Sequence, residues 1–293
     1  MKRFIKWRIV LERVMDLFLL LSAMIVLWTF AQVFLLASFR IPSDSMEPEL
    51  TEGDFVAVWK PTLGARLFNL NATLRLEQTV IHRLPGCRRI RRGDVLVFNF
   101  PHPNGWDKIE MHILKYYIKR CIGLPGDTLS IRDGRFRING VSEPLGNLDS
   151  QDRIGQTPPE GFADGIYKAF PFDSAVGWNI RNFGPLYIPK AGDRIKMDRT
   201  NYALYRKLIA WEQKTEIEYG DSTAYLNGKP MQEYHFQKNY YFMAGDKGMN
   251  SQDSRYWGLL PEEYIVGKAT FIWKSVDPYT GKFRWNRFMK KIE

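Results

Sequence analysis

Gly93-Asp94-Val95-Leu96-Val97-Phe98 is the stretch on which the fold turns. Glycine takes backbone angles closed to other residues, aspartate bonds back to amides of the turn, and an apolar, β-branched run then leaves in extended form. The same opening recurs as Gly53-Asp54 before 55–58, Gly126-Asp127 before 128–131 and Gly192-Asp193 before 194–197. Short strands launched from tight turns predict a mainly antiparallel β body, and Asp133-Gly134 and Asn227-Gly228 read as hairpin turns of the same system. The recurrences are unevenly spaced and do not form a repeat architecture.

Outward from these strands, residues 200–214 have helical spacing. Leu204, Leu208, Ile209 and Trp211 fall on one side, Arg206, Lys207 and Gln213 on the other, with Thr200 or Asn201 as the expected cap. Residues 141–185 are rich in Gly, Pro, Asp and Asn and read as long surface loops inserted into the β body. The chain has 293 residues, 45% hydrophobic and 25% charged, which excludes disordered and collagen-like classes. Its two cysteines and four scattered histidines make neither a disulfide scaffold nor a four-cysteine zinc site, so no metal or cofactor is expected.

Residues 17–39 contain no charged side chain, and fourteen of these 23 are Leu, Ile, Val or Phe. As a helix they reach roughly 35 Å, enough to cross a hydrocarbon core of about 30 Å. The apolar run is too long for a cleavable secretory signal, and no A-x-A pattern follows it, so an uncleaved anchor is expected. Lys2, Arg3, Lys6, Arg8 and Arg13 precede the span against Glu12 and Asp16, which puts residues 1–16 in the cytoplasm and everything after Arg40 outside.

Immediately after the span comes Ile41-Pro42-Ser43-Asp44-Ser45-Met46-Glu47-Pro48-Glu49-Leu50. Two prolines stiffen the backbone on either side of two serines. Alone, such a Ser-x-Ser is most often a loop; its company changes that. PSDSMEPEL, GDVLVF at 93–98, YIKRCIGLPGD at 117–127 and GDKGMNSQDSRYWG at 245–258 resemble, in order, the boxes of type I signal peptidases, also called leader peptidases. The similarity spans about residues 17–275, and between the last two boxes it is architectural only.

The resemblance implies a Ser-Lys serine endopeptidase on a mainly β fold, which cuts signal peptides from exported preproteins. Matched onto this sequence, Ser45 falls on the nucleophile and Lys119 on the general base. Ser43 falls on the hydroxyl that completes the oxyanion hole with the backbone N–H of Ser45. Ser251 falls on the serine that orients the lysine, and Asp253 and Arg255 on the charged pair supporting it. The last box usually runs G-D-N-R-D-N-S; here Lys247, Gly248 and Met249 replace N-R-D, which leaves that loop's ion pairing open. Glu49 stands where threonine is usual. Neither change removes a reacting group.

The residues themselves fit such chemistry. A serine hydroxyl needs a base, no box contains histidine, and a lysine near its usual pKa of about 10.4 must be buried to act as one. Alternation puts Tyr117, Lys119 and Cys121 on one strand face and Arg120 on the other.

The expected organisation is an anchor at 17–39, a catalytic β region at 40–130 and 240–275, an insertion at 131–239 and a basic, aromatic tail at 276–293. The expected partners are exported preproteins and the phospholipid bilayer, with no nucleic acid. In the tail, Phe283, Trp285 and Phe288 among Lys282, Arg284, Arg287, Lys290 and Lys291, together with Trp273, suit an interface with anionic lipid. The Arg88 to Arg92 cluster reads as a solvated loop. Cys87 and Cys121 are expected as free thiols, because Cys121 lies on a core strand. The rival readings are a catalytically idle, membrane-tethered scaffold of the same fold, which would need neither Ser45 nor Lys119, and a processing peptidase dedicated to a few substrates.

Overall fold

The computed structural model describes residues 2–69, 71–72, 75 and 80–293, with side chains described at Trp7 and from Leu11 onward within those ranges. Helix α1 (Lys2–Phe34) carries the apolar run, and its segment Leu11–Phe34 is long and apolar enough to cross a membrane. Phe18, Ile25 and Trp28 are each more than 60% exposed there. The side chains of Lys2, Arg3, Lys6 and Arg8 lie outside the described residues.

The helix stops five residues before the expected end of the span. Lys60 Nζ donates to the carbonyls of Gln32 (2.6 Å) and Val33 (3.1 Å), and Leu36–Arg40 leaves as strand β1, paired with β2 (Asp54–Trp59) from Leu36↔Trp59 to Arg40↔Phe55. A continuous apolar run has no period, so the switch from helix to strand within it was not visible in the sequence.

The body is mainly β. Short strands β3 (Arg66–Leu67) and β4 (His82–Arg83) form a ribbon. The main sheet adds β5 (Val95–Asn99), β6 (Tyr116–Gly123), β15 (Tyr240–Ala244), β16 (Leu260–Pro261), β17 (Ile265–Ser275) and β18 (Lys290–Lys291). Its order is β1-β2-β17-β5-β6-β15-β16, with β18 on β17 and every pairing antiparallel. Strand β5 explains the two cores. Both its faces are buried: Val95 and Val97 enter a small core with Met46, Leu50 and Ile272, and Leu96 and Phe98 a large one with Phe242 and Trp257.

Between β6 and β15 lie β7 (Thr128–Arg132), β8 (Arg135–Ile138) and β9 (Phe183–Tyr187) in one sheet. The pair β10 (Arg194–Lys196) and β14 (Glu233–His235) and the meander β11 (Ile217–Gly220), β12 (Thr223–Leu226) and β13 (Lys229–Met231) complete the region. This region shares the large core with the main sheet, and Phe183 packs edge-on against Phe242 at 5.7 Å.

The Gly-Asp openings behave as one device. Asp54, Asp94, Asp127 and Asp193 each accept from the amide three residues earlier, on Thr51, Arg91, Leu124 and Lys190, at 2.7–2.9 Å. The glycine before each has φ between +87° and +97°.

Three local expectations are corrected. Residues 141–185 contain helix α2 (Leu148–Gln156), capped by Asn147; buried Gln151 hydrogen-bonds Leu145 O and the Phe136 amide where an apolar residue would have revealed the period. Helix α3 (Arg199–Gln213) is capped by Asp198, which accepts from Asn201 N at 2.8 Å, so Thr200 and Asn201 lie inside its first turn. The Arg88 to Arg92 cluster is not a freely solvated loop, since Arg88 pairs with Asp94 (2.7 Å) and Arg92 with Asp127 (2.6 Å). Cys87 is exposed and Cys121 buried, both free.

Candidate active site

The loop 41–53 is closed at its base, where Ile41 N donates to Asp54 O (2.8 Å) and Gly53 N to Ile41 O (2.9 Å). Met46 and Leu50, fully buried in the small core, pull the loop down, so Ser43, Asp44 and Ser45 are presented on a fixed rim. Gly53 is obligatory there: its φ is +87°, and a Cβ would lie 2.1 Å from Val276 O.

Opposite stands β6. Lys119 pairs across from Leu96 and lies on the large-core side, 4% exposed, with its Nζ donating to Ser45 Oγ at 2.6 Å. Ser45 is 8% exposed, and Ser43 Oγ lies 3.4 Å from Ser45 Oγ. Burial lowers the Lys119 pKa to about 8; Asp253, Asp246 and Asp44 resist the change, and Arg255 assists it.

Beneath the lysine, Asp253 and Arg255 form a buried pair, with Arg255 Nη2 2.7 Å and Nε 2.9 Å from the carboxylate. Asp253 also caps the short helix α4 (Ser254–Trp257). Ser251 Oγ donates to Asp253 Oδ2 at 2.8 Å. Ser251 therefore reaches the lysine's surroundings through this carboxylate, an indirect contact that the motif alone did not reveal. Gly245 makes the junction possible, because a Cβ would meet Ser251 Oγ at 2.2 Å and Ser45 O at 2.6 Å.

Several residues of the site escaped the sequence reading. Arg120, on the opposite face of β6, holds Asp246 bidentately at 2.6 and 2.7 Å. The available signal was Gly245-Asp246, a further Gly-Asp pair that follows a strand where the four strand-opening pairs precede one. The altered loop at Lys247 regains its ion pairing by another route: Lys247 Nζ donates to Asp44 and, at 2.9 Å, to Glu47. Ser150 of α2 accepts from Gly248 N at 2.7 Å, so the inserted region braces this loop. Glu49 accepts from the Glu293 amide at 3.2 Å and so ties down the C-terminal segment.

A cleft of about 520 Å³ runs past the two serines and Lys119, walled by Phe39, Ile41, Val97, Tyr116, Tyr117 and Ile118. Its lining contains no histidine. His102 is buried elsewhere against Phe100, and burial lowers its pKa to about 4.

A hydroxyl and a buried, pKa-lowered amine in direct contact have the chemistry that a nucleophile and its base require. The family model for signal peptidase, peptidase S26, matches residues 14–274. The chain belongs to that family. Similar proteins include signal peptidase I of Buchnera aphidicola subsp. Schizaphis graminum, 30% identical over 90% of this chain and 78% of that one. Signal peptidase I of Buchnera aphidicola subsp. Acyrthosiphon pisum is 30% identical over 83% of this chain and 70% of its own, and that of Pseudomonas aeruginosa 30% identical over 83% and 66%. A solved signal peptidase I from Enterococcus faecalis V583 aligns at 22% identity and TM-score 0.30, over 62% of this chain and 98% of that one; the fold description rests on the strand pairings above. This peptidase is thus a peptide hydrolase, with one apolar helix that fits a membrane anchor.

Proposed function

We infer that this peptidase removes signal peptides from exported preproteins, with Ser45 as nucleophile and Lys119 as general base. The observation that carries the reading is the 2.6 Å contact between Lys119 Nζ and Ser45 Oγ, made by a lysine that is only 4% exposed. When the amine is neutral the bond runs the other way, the hydroxyl donating to Nζ.

In the reaction, Ser45 Oγ attacks the carbonyl carbon of the scissile bond while Lys119 takes its proton. The carbonyl oxygen gains negative charge, which the Ser45 N–H and the Ser43 hydroxyl receive; the 3.4 Å between the two serine hydroxyls supports that role for Ser43. The Lys119 ammonium then protonates the leaving amine as the C–N bond breaks, leaving an ester on Ser45. A water molecule, deprotonated by Lys119, hydrolyses that ester and restores the hydroxyl. Asp253, Arg255 and Ser251 support the amine from below. The apolar wall of Phe39, Ile41 and Val97 suits small residues before the scissile bond.

The anchor serves the chemistry. A preprotein held in the bilayer by its signal peptide and a peptidase held there by α1 meet on one surface, which raises their effective concentration. The positive residues before the span support a body on the outer face of the plasma membrane. Exposed Trp285 (75%) and Phe288 (46%), next to Lys290 and Lys291, form a surface for the lipid headgroup region. Incubating purified full-length protein with a preprotein in detergent and sequencing the product's N-terminus tests the function. Failure of the folded protein to cleave would favour the idle scaffold.

A further inference from the structure

Three carboxylates act on the Lys119 amine, and each has a cation of its own. Asp253 is held by Arg255, 2% exposed, and Asp246 by Arg120 at 2.6 Å, both inside the body. Asp44 is held by Lys247 at the mouth of the cleft, where their side chains are 35% and 40% exposed. Lys247 touches the nucleophile loop twice more: its N–H donates to Ser45 O at 3.0 Å, and its Nζ to Glu47 at 2.9 Å. Asn250 Nδ2 donates to both oxygens of Asp44, at 2.9 and 3.1 Å, but adds no charge.

Asp44 sits between the two serines, so its charge matters in two ways. Unpaired, it would favour the ammonium form of Lys119, and it would oppose the negative charge developing on the substrate carbonyl oxygen. Its pairing with Lys247 keeps both groups ionised: the lysine's pKa is raised by Asp44 and Glu47, and that of Asp44 is lowered, chiefly by Lys247. Beyond Asp44, the charged groups acting on Lys119 are Asp253, Asp246 and Arg255, and the Tyr117 ring lies 5.7 Å from its Nζ.

We propose that Lys247 is a positioning residue of this peptidase: it fastens the loop 43–47 to the loop 245–251 and cancels the charge of Asp44, so that Lys119 serves as an uncharged amine and the oxyanion forms without an opposing carboxylate. The inference rests on reading Ser45 and Lys119 as the reacting pair. It assigns the chain's departure from the usual N-R-D a specific task.

The test measures preprotein cleavage by the full-length protein in detergent from pH 5 to 10. The variants are Lys247→Met, Lys247→Arg, Asp44→Asn and the double variant Asp44→Asn/Lys247→Met. Lys247→Met should lower kcat roughly tenfold and move the rising limb of the pH profile up by roughly half a unit, as one uncompensated charge near a partly exposed site would. Lys247→Arg should keep both near the parent. The double variant should bring the midpoint back and recover most of kcat, a recovery that a purely structural tie between loops would not give. An unmoved midpoint in Lys247→Met, or a double variant no better than it, overturns the proposal. Ser45→Ala and Lys119→Ala run alongside: near-parental cleavage by either overturns the dyad reading and this inference with it, whereas two inactive controls confine a failure to Lys247.

Discussion

At the scale of single residues, Lys119 shows how function is set against stability. In the folded protein its pKa falls to about 8, so roughly a tenth of the amine is neutral at pH 7, against well under a thousandth for a free lysine. Cleavage should therefore rise with pH, with a midpoint near 8 and a plateau above. A midpoint near 6.5 would point instead to a histidine base. The same shift weakens the fold. Between about pH 8 and 10.4 the unfolded chain binds a proton that the folded one does not, so the penalty is complete below 8 and gone above 10.4. Lys119→Met should thus be inactive yet more stable at pH 7, by about 3 kcal/mol, with the gap closing as pH rises; denaturant titrations at pH 7 and 10 measure it. Ser45→Ala and Lys119→Ala should each abolish cleavage while the protein stays folded, because nucleophile and base act as one unit. Ser43→Ala should lower kcat roughly 10- to 1,000-fold with KM little changed, since its hydroxyl acts on charge that appears only in the transition state. An effect confined to KM would remove it from that role.

At the scale of elements, the site is made where two loops are pressed together, and Gly245 shows how closely. A methyl group there would meet Ser251 Oγ at 2.2 Å and the backbone oxygen of Ser45 at 2.6 Å, so one loop would have to move away from the other. Gly245→Ala should cost at least about a hundredfold in kcat, since displacements near 1 Å are worth that much when reacting atoms are already in contact. Normal turnover by a folded Gly245→Ala would show that the loops can separate without loss. The four strand-opening Gly-Asp pairs were readable from the sequence because their physics is local: each carboxylate reaches an amide three residues back. What those aspartates do beyond the turn was not readable. Asp54 also binds Arg287 at 2.6 Å and Ser275 at 2.7 Å, and Asp94 binds Lys268 at 2.6 Å, contacts between residues more than 170 positions apart.

At the scale of the whole molecule, α1 and the body are joined through the β1 and β2 pairing, and Lys60 caps the end of the helix. The cleft therefore stands at a fixed distance from the end of the span. Protease added to intact spheroplasts should digest the body and leave the region before about residue 14 protected; full protection of the body would reverse the orientation argued from the basic residues at the N-terminus.

The sequence by itself determined the β class, the apolar helix and the family, and it singled out Ser43, Ser45, Lys119, Ser251, Asp253 and Arg255 as the candidate site, because turn chemistry, an uncharged apolar run and ordered motifs are all written in contiguous residues. The tertiary structure alone decided where the anchor becomes a strand, since an apolar run carries no period, and that Ser251 bonds to Asp253. It alone decided that Arg120 holds Asp246 and that Lys247 answers Asp44, 203 residues away. Charge pairing depends on distance in space, and the strands that set those distances bring together residues that the chain keeps far apart.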